Sequence, residues 1–107
     1  MERRWTTRTK VALPVELACE GGATLRCTTE NIGLGGVFVR APSQRVAEGQ
    51  NVDLTFSLSA GSTTEEHRLR AKVVRTTDAG LGLMFRDFDA TAFRSLQRVM
   101  KAREFNP

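Results

Sequence analysis

Several kinds of chemistry are missing from this chain before any is found. It carries one histidine, two cysteines, three prolines, one tryptophan and no tyrosine. The lone His67 has no second imidazole with which to build a zinc site, and Cys19 and Cys27 fall outside any Cys-x-x-Cys spacing, so neither a metal centre nor a redox pair is expected. Both cysteines read as buried free thiols of a reducing compartment. No apolar run approaches the roughly 20 residues that cross a bilayer, and Met1-Glu2-Arg3-Arg4-Trp5 holds no apolar stretch that would serve as a secretory signal. The expected address is therefore the cytoplasm, without membrane insertion. Enzymes need a nucleophile beside a base, a tuned pair of carboxylates or an open metal position. None is visible, so no catalytic residue, no cofactor and no enzymatic activity is expected. Aromatics are few, and most of the six phenylalanines sit at core-phase positions. A stacking stripe for single-stranded nucleic acid is absent, and nucleic acid is not an expected partner.

What is there is enough for one compact core: 107 residues, 40% hydrophobic and 26% charged, within the size of a single domain. The net charge of +4 is concentrated at the start, where Arg3, Arg4, Arg8 and Lys10 fall in the first ten residues. Such an arm attracts phosphate of any kind and by itself specifies none. Downstream, apolar residues recur with the period of two that marks half-buried strands. Val11, Leu13, Val15, Leu17 and Cys19 form the first such set; Pro14, which cannot donate to a ladder, needs an edge or an outward-facing position. Leu25, Cys27 and Thr29 follow, then Val37 to Arg40, then Val52, Leu54, Phe56 and Leu58. Leu69, Ala71 and Val73 come next, with Arg68, Arg70 and Lys72 outward, and Leu81, Leu83 and Phe85 form the last set. Gly61 and Ser62 offer a turn between the fourth and fifth sets, predicting a long hairpin. After Phe88 the period changes: Phe93, Leu96 and Met100 recur at helical spacing, with Asp89 as N-cap and Phe88 and Phe93 placed as a hydrophobic staple.

The expected architecture is all-β, a six-stranded antiparallel barrel with a C-terminal α-helix across one end. As a single domain spanning 1–107 it divides into a flexible arm at 1–10, a barrel at 11–86 and a helix at 89–104. Between the second and third sets lies Asn31-Ile32-Gly33-Leu34-Gly35-Gly36, whose glycines suggest a turn with unusual backbone angles. It is not a phosphate-binding P-loop, because no Gly-Lys-Ser/Thr follows and a strand comes next.

Arg4-Trp5-Thr6-Thr7-Arg8 in the arm and Asn31-x-Gly33-x-x-Gly36 in the turn together resemble the PilZ domain, a bacterial family of six-stranded barrels that bind cyclic di-GMP. The family's pattern is R-x-x-x-R followed by [DN]-x-S-x-x-G. The resemblance covers nearly the whole chain, including Gly82-Leu83-Met84-Phe85 and the closing helix. It implies a receptor in which Arg4 and Arg8 grip phosphate oxygens or guanine O6 and N7, roles suited to the arginine fork and its stacking plane. Asn31 would accept from guanine N–H groups, and Gly36 would let the backbone pass close to the ligand. Arg3 precedes the motif, where relatives that bind a stacked pair of ligands often carry a basic residue; one or two cyclic di-GMP molecules per chain are both open. Gly33 departs from the family serine and removes a hydroxyl worth about 1.5 to 3 kcal/mol if it bonded a charged group. Backbone N–H groups turned toward a phosphate would recover part of that loss. The resemblance also implies a role in second-messenger signalling over motility or biofilm formation, relayed to an effector protein that the sequence does not identify. The alternative is an interaction adaptor for pilus or motility machinery that no longer binds the nucleotide.

Overall fold

The computed structural model describes residues 9–41, 46–60 and 62–102. Seven strands and one helix follow in order: β1 (Thr9–Lys10), β2 (Pro14–Cys19), β3 (Thr24–Ile32), β4 (Gly36–Arg40), β5 (Asn51–Ala60), β6 (Thr63–Thr77), β7 (Gly80–Phe85) and α1 (Ala90–Ala102). All pairings are antiparallel. The sheet runs β3-β2-β5-β6-β7-β4, and β4 returns to β3, closing a six-stranded barrel with no free first or last strand.

The expected six-stranded barrel is present, and the two-residue β1 adds to it without adding a stave. It continues the β2 edge: Thr9 lies opposite Ile32 and Lys10 opposite Asn31, while β2 takes the Thr24–Thr28 part of β3. Residues 9 and 10, read from sequence as part of the arm, thus belong to the ladder. Between β1 and β2 the chain detours at Val11–Leu13, and a threonine fills the gap. The Thr29 hydroxyl accepts a hydrogen bond from Leu13 N–H at 2.9 Å and donates one to the Val11 carbonyl. Thr29 is 1% exposed, the one buried polar side chain among the described residues. It supplies the two bonds that a regular ladder would have made, as buried backbone groups require.

Alternation gives the core. Val15, Leu17, Leu54, Phe56, Leu69, Ala71, Val73, Leu81 and Leu83 are buried, whereas Pro14, Glu16 and Ala18 between their neighbours are exposed. Pro14 solves its missing donor by standing first in β2 and facing outward; the β5 pairing starts one residue later, at Val15 opposite Phe56. The long hairpin is found as expected, with ten consecutive pairs from Asn51 opposite Lys72 to Ala60 opposite Thr63.

Helix α1 begins where Asp89 Oδ1 accepts from Ala92 N–H at 2.9 Å, the N-cap read from sequence. Phe88 meets Phe93 edge-on at 6.1 Å, the staple. The seam it buries differs from the expected one. Leu96 and Val99 are fully buried and plug the barrel end, while Phe93 remains 40% exposed at the rim. Met100 packs against the core as expected, together with Ala92, and Val99 takes the place that Phe93 leaves to the staple.

Candidate functional site: a row of side chains on the outer wall

The interior is filled, so a ligand has to be met outside. On the outer wall, strand pairing sets five residues side by side across five strands: Lys10, Asn31, Phe38, Gly82 and Arg75. Directly opposed residues share a face, and these alternate with the buried Ile32, Val37, Val39, Leu81 and Leu83. A groove of about 640 Å³ lies over the row from Asn31 to Arg75, lined among others by Glu30, Asn31, Phe38, Val74, Arg75 and Gly82; Lys10 borders a neighbouring depression.

Two irregularities build this face. Between Thr29 and Asn31 the β3–β4 register shifts, and Glu30 becomes the extra residue; its carboxylate takes a 3.0 Å bond from Arg40 Nε. Between Val73 and Arg75 the β6–β7 register shifts in the same way. Strict alternation from Val73 would send Arg75 into the core. The bulge absorbs Val74, which is 48% exposed, and Arg75 emerges outward opposite Gly82. Bulges re-aim side chains in this manner.

The residues expected to bind are placed as follows. Arg3, Arg4 and Arg8 lie outside the described residues. Asn31, Gly33 and Gly36 are brought together by the β3–β4 hairpin, but not as one turn. Asn31 is half-buried in β3, opposite both Lys10 and Phe38, and Gly36 opens β4; the connection proper is 33–35. None of Gly33, Gly35 and Gly36 has a positive φ, so the expected unusual angles are not the reason for these glycines. Gly36 has a different one: a Cβ there would stand 2.0 Å from the Leu83 carbonyl oxygen. Gly80, at the other end of the same ladder, would put a Cβ 2.0 Å from the Val39 carbonyl oxygen. The seam of β4 and β7 is thus held by a glycine at each end. The N–H of Gly33 donates to the Gly36 carbonyl at 2.9 Å, so it is committed within the hairpin and not turned toward a phosphate as the sequence reading allowed.

Elsewhere the chemistry is quiet. Cys19 and Cys27 are free and buried, and burial, with Cys19 nearby, pushes the Cys27 thiol up to about 11. A protonated buried thiol is a poor nucleophile. Glu65 is held below the usual carboxylate range by hydrogen bonds from His67 and Arg98. His67 Nδ1 also meets Ser95 Oγ at 3.2 Å, which ties the hairpin to α1. Among the described residues no group of three or more His, Cys, Asp or Glu could hold a metal ion. No helix among the described residues is long and apolar enough to cross a membrane.

Arg75, Phe38 and Gly82 escaped the sequence reading as site residues. The signal that sets Arg75 apart from the outward Arg68, Arg70 and Lys72 is its phase: it shares the parity of Leu69, Ala71 and Val73, which alternation alone would bury.

Among the described residues, a closed six-stranded barrel with a buried apolar interior and a C-terminal helix defines a class of small all-β barrel domain whose candidate groove lies on the outer wall. Within that class the chain belongs to the PilZ domain family, whose model matches residues 2–102. Solved structures agree on the fold. The PilZ domain of CeSA from a cellulose-synthesizing bacterium superposes with a TM-score of 0.75 at 22% identity, covering 92% of this chain and 99% of that one. The PilZ domain of YcgR from Escherichia coli, solved with c-di-GMP, gives 0.74 at 17% identity over 98% and 97%. The Bacillus subtilis inhibitor of motility MotI/DgrA gives 0.73 at 22% identity; it covers 99% of this chain, which spans only 53% of that protein. A comparison with curated protein sequences finds no match.

Proposed function

We propose that this PilZ domain is a non-enzymatic cytoplasmic receptor for cyclic di-GMP, binding it between the Arg4/Arg8 arm and the wall around Asn31, and passing the signal to an effector protein. The observation that carries the reading is β1. Lys10 lies opposite Asn31 and Thr9 opposite Ile32, so the chain immediately after the Arg4/Arg8 motif is paired with the strand that carries Asn31, which supports the two motifs acting together. From the anchor at Thr9, five residues of chain reach at most about 16 to 18 Å. That bounds how far Arg4 can stray from Asn31 and keeps its effective concentration at the groove high. The arginine fork suits both phosphodiester oxygens and guanine edges. The YcgR PilZ domain solved with c-di-GMP supplies the ligand by analogy.

One observation favours a second reading, an adaptor that keeps the barrel without the nucleotide: Gly33 offers no hydroxyl, and its N–H is engaged by Gly36. Isothermal titration of cyclic di-GMP into the protein and into the Arg4→Ala/Arg8→Ala variant separates the two. Saturable heat that the variant loses establishes the receptor, and the ratio gives one or two ligands per chain. Absence of heat from the unaltered protein at millimolar ligand leaves the adaptor.

A further inference from the structure

We propose that Arg75 is a ligand-contacting, specificity-determining residue of the groove: its guanidinium forms the wall across from Asn31, stacking on one guanine of the dinucleotide and bonding the O6/N7 edge of the other. This inference rests on the nucleotide-receptor reading above and adds a residue outside the two motifs that define that reading.

Four observations converge on it. Arg75 and Asn31 line the same groove. The row between them is Asn31, Phe38, Gly82, Arg75, three strand spacings or about 14 Å, a width that suits a flat, multi-ring ligand lying across the strands. Its floor is a half-buried aromatic ring and a glycine. Gly82 is what lets Arg75 lie down: a Cβ at Gly82 would have Arg75 Cβ at 3.4 Å, Nε at 3.6 Å and Nη2 at 3.9 Å. The side chain therefore crosses the sheet over the glycine while keeping an exposed face.

Arg75 is also unclaimed. Among the described residues, Arg26, Arg40, Arg70, Arg86 and Arg98 each sit beside a carboxylate; Arg68, Arg75 and Arg94 do not, and of these three only Arg75 lines the groove. The bulge at Val73–Arg75 gives up a regular ladder to bring this residue outward, and the glycine opposite gives up a side chain to seat it. Bulges and strand glycines that serve only closure need no cation between them. A guanidinium held flat over a sheet with its donors free can stack on a base and make a bidentate pair with guanine; adenine presents a donor where guanine has O6. Discrimination of cyclic di-GMP from cyclic di-AMP is the expected consequence.

The test compares the unaltered protein, Arg75→Ala, Arg75→Lys and Arg4→Ala/Arg8→Ala by titration with cyclic di-GMP and cyclic di-AMP, each variant first checked for an unchanged thermal midpoint. Arg75→Ala is expected to weaken cyclic di-GMP binding roughly ten- to a hundred-fold. Arg75→Lys, which keeps the charge but neither plane nor fork, should fail to restore it. In both variants the preference over cyclic di-AMP should shrink. If Arg75→Ala binds as the unaltered protein does while Arg4→Ala/Arg8→Ala has lost binding, the receptor reading stands and this inference is overturned. If Arg75→Lys is as good as arginine, the residue supplies only charge and the stacking role is overturned. If the unaltered protein binds neither nucleotide, both readings fall together.

Discussion

The two halves of the barrel wall are built to different rules. Through β2, β5 and β6 the ladders run without a shift: five pairs join β2 to β5 and ten join β5 to β6. In the pairings that β4 and β7 make with β3 and β6 the register slips twice, and two glycines sit against carbonyl oxygens of the neighbouring strand. The regular half buries Leu17, Leu54, Phe56 and Leu69 and carries α1 at its end. The irregular half carries the groove and the anchored end of the arm, and at its border with β6 it meets Arg75, which pairs with no carboxylate among the described residues. A regular ladder presents side chains in fixed alternation, which suits packing. Aiming a cation outward at a position of inward phase takes a bulge, and the exchange has been made at the end of β6 where the regular half borders β7.

That contrast can be broken in graded ways. The largest effect is on binding: Arg4→Ala/Arg8→Ala should reduce cyclic di-GMP affinity more than a hundred-fold, a loss of about 3 kcal/mol or more, with the thermal midpoint unchanged, both read by titration and calorimetry. Next is the regular half. Phe56→Ala, at a fully buried ring, should cost about 3 to 5 kcal/mol in urea unfolding and reduce binding only by depleting the folded state. Thr29→Val tests the join between the halves, since it keeps the shape but strands the Leu13 N–H and the Val11 carbonyl. A cost of about 1 to 3 kcal/mol is expected, together with faster amide exchange at Lys10 and Val11. Thr29→Ser, which retains the hydroxyl, should recover most of both. An unchanged exchange rate in Thr29→Val would mean that the detour is held by packing alone.

The smallest effect is at alkaline pH. Cys27 ionises near 11 in the folded protein against an unfolded value of about 8.5. Its contribution is complete below the unfolded value and is lost as pH rises toward 11, because only the unfolded chain releases the proton in that window. The thermal midpoint should fall from about pH 8.5 to 11, and less steeply in Cys27→Ala. Equal slopes would assign the decline to other groups.

The regular half was legible because period-two patterns report it directly. Val52 to Leu58 and Leu69 to Val73 gave the hairpin, and Asp89 with Phe88 and Phe93 gave the helix start. The irregular half was legible as a motif but not as a shape. Asn31 reads from sequence as part of a turn because glycines follow it, yet it pairs on both sides within β3. Gly36 suggests backbone freedom, whereas the constraint is Leu83 from a strand nearly fifty residues later. A bulge has no local signature in alternation until its partner strand is known, so Arg75 could be counted as a surface cation but not placed beside Asn31. Thr29 was visible as an in-phase residue, but its work depends on a detour that no spacing announces.

The glycine-clasped seam of β4 and β7 also bears on how the molecule forms. Its pairs join Gly36 through Val39 to Leu81 through Met84, closing a loop of over forty residues, where the β5–β6 hairpin closes almost none. Loop-closure entropy is met before distant pairs reward it, so the hairpin is expected to condense first and the seam to shut last. A substitution such as Gly80→Ala should then accelerate unfolding far more than it slows folding in denaturant-jump kinetics. The wall proposed to take the ligand would be the last part of the chain to arrive and the first to leave, and a bound nucleotide spanning it would act as a kinetic lock on the whole barrel.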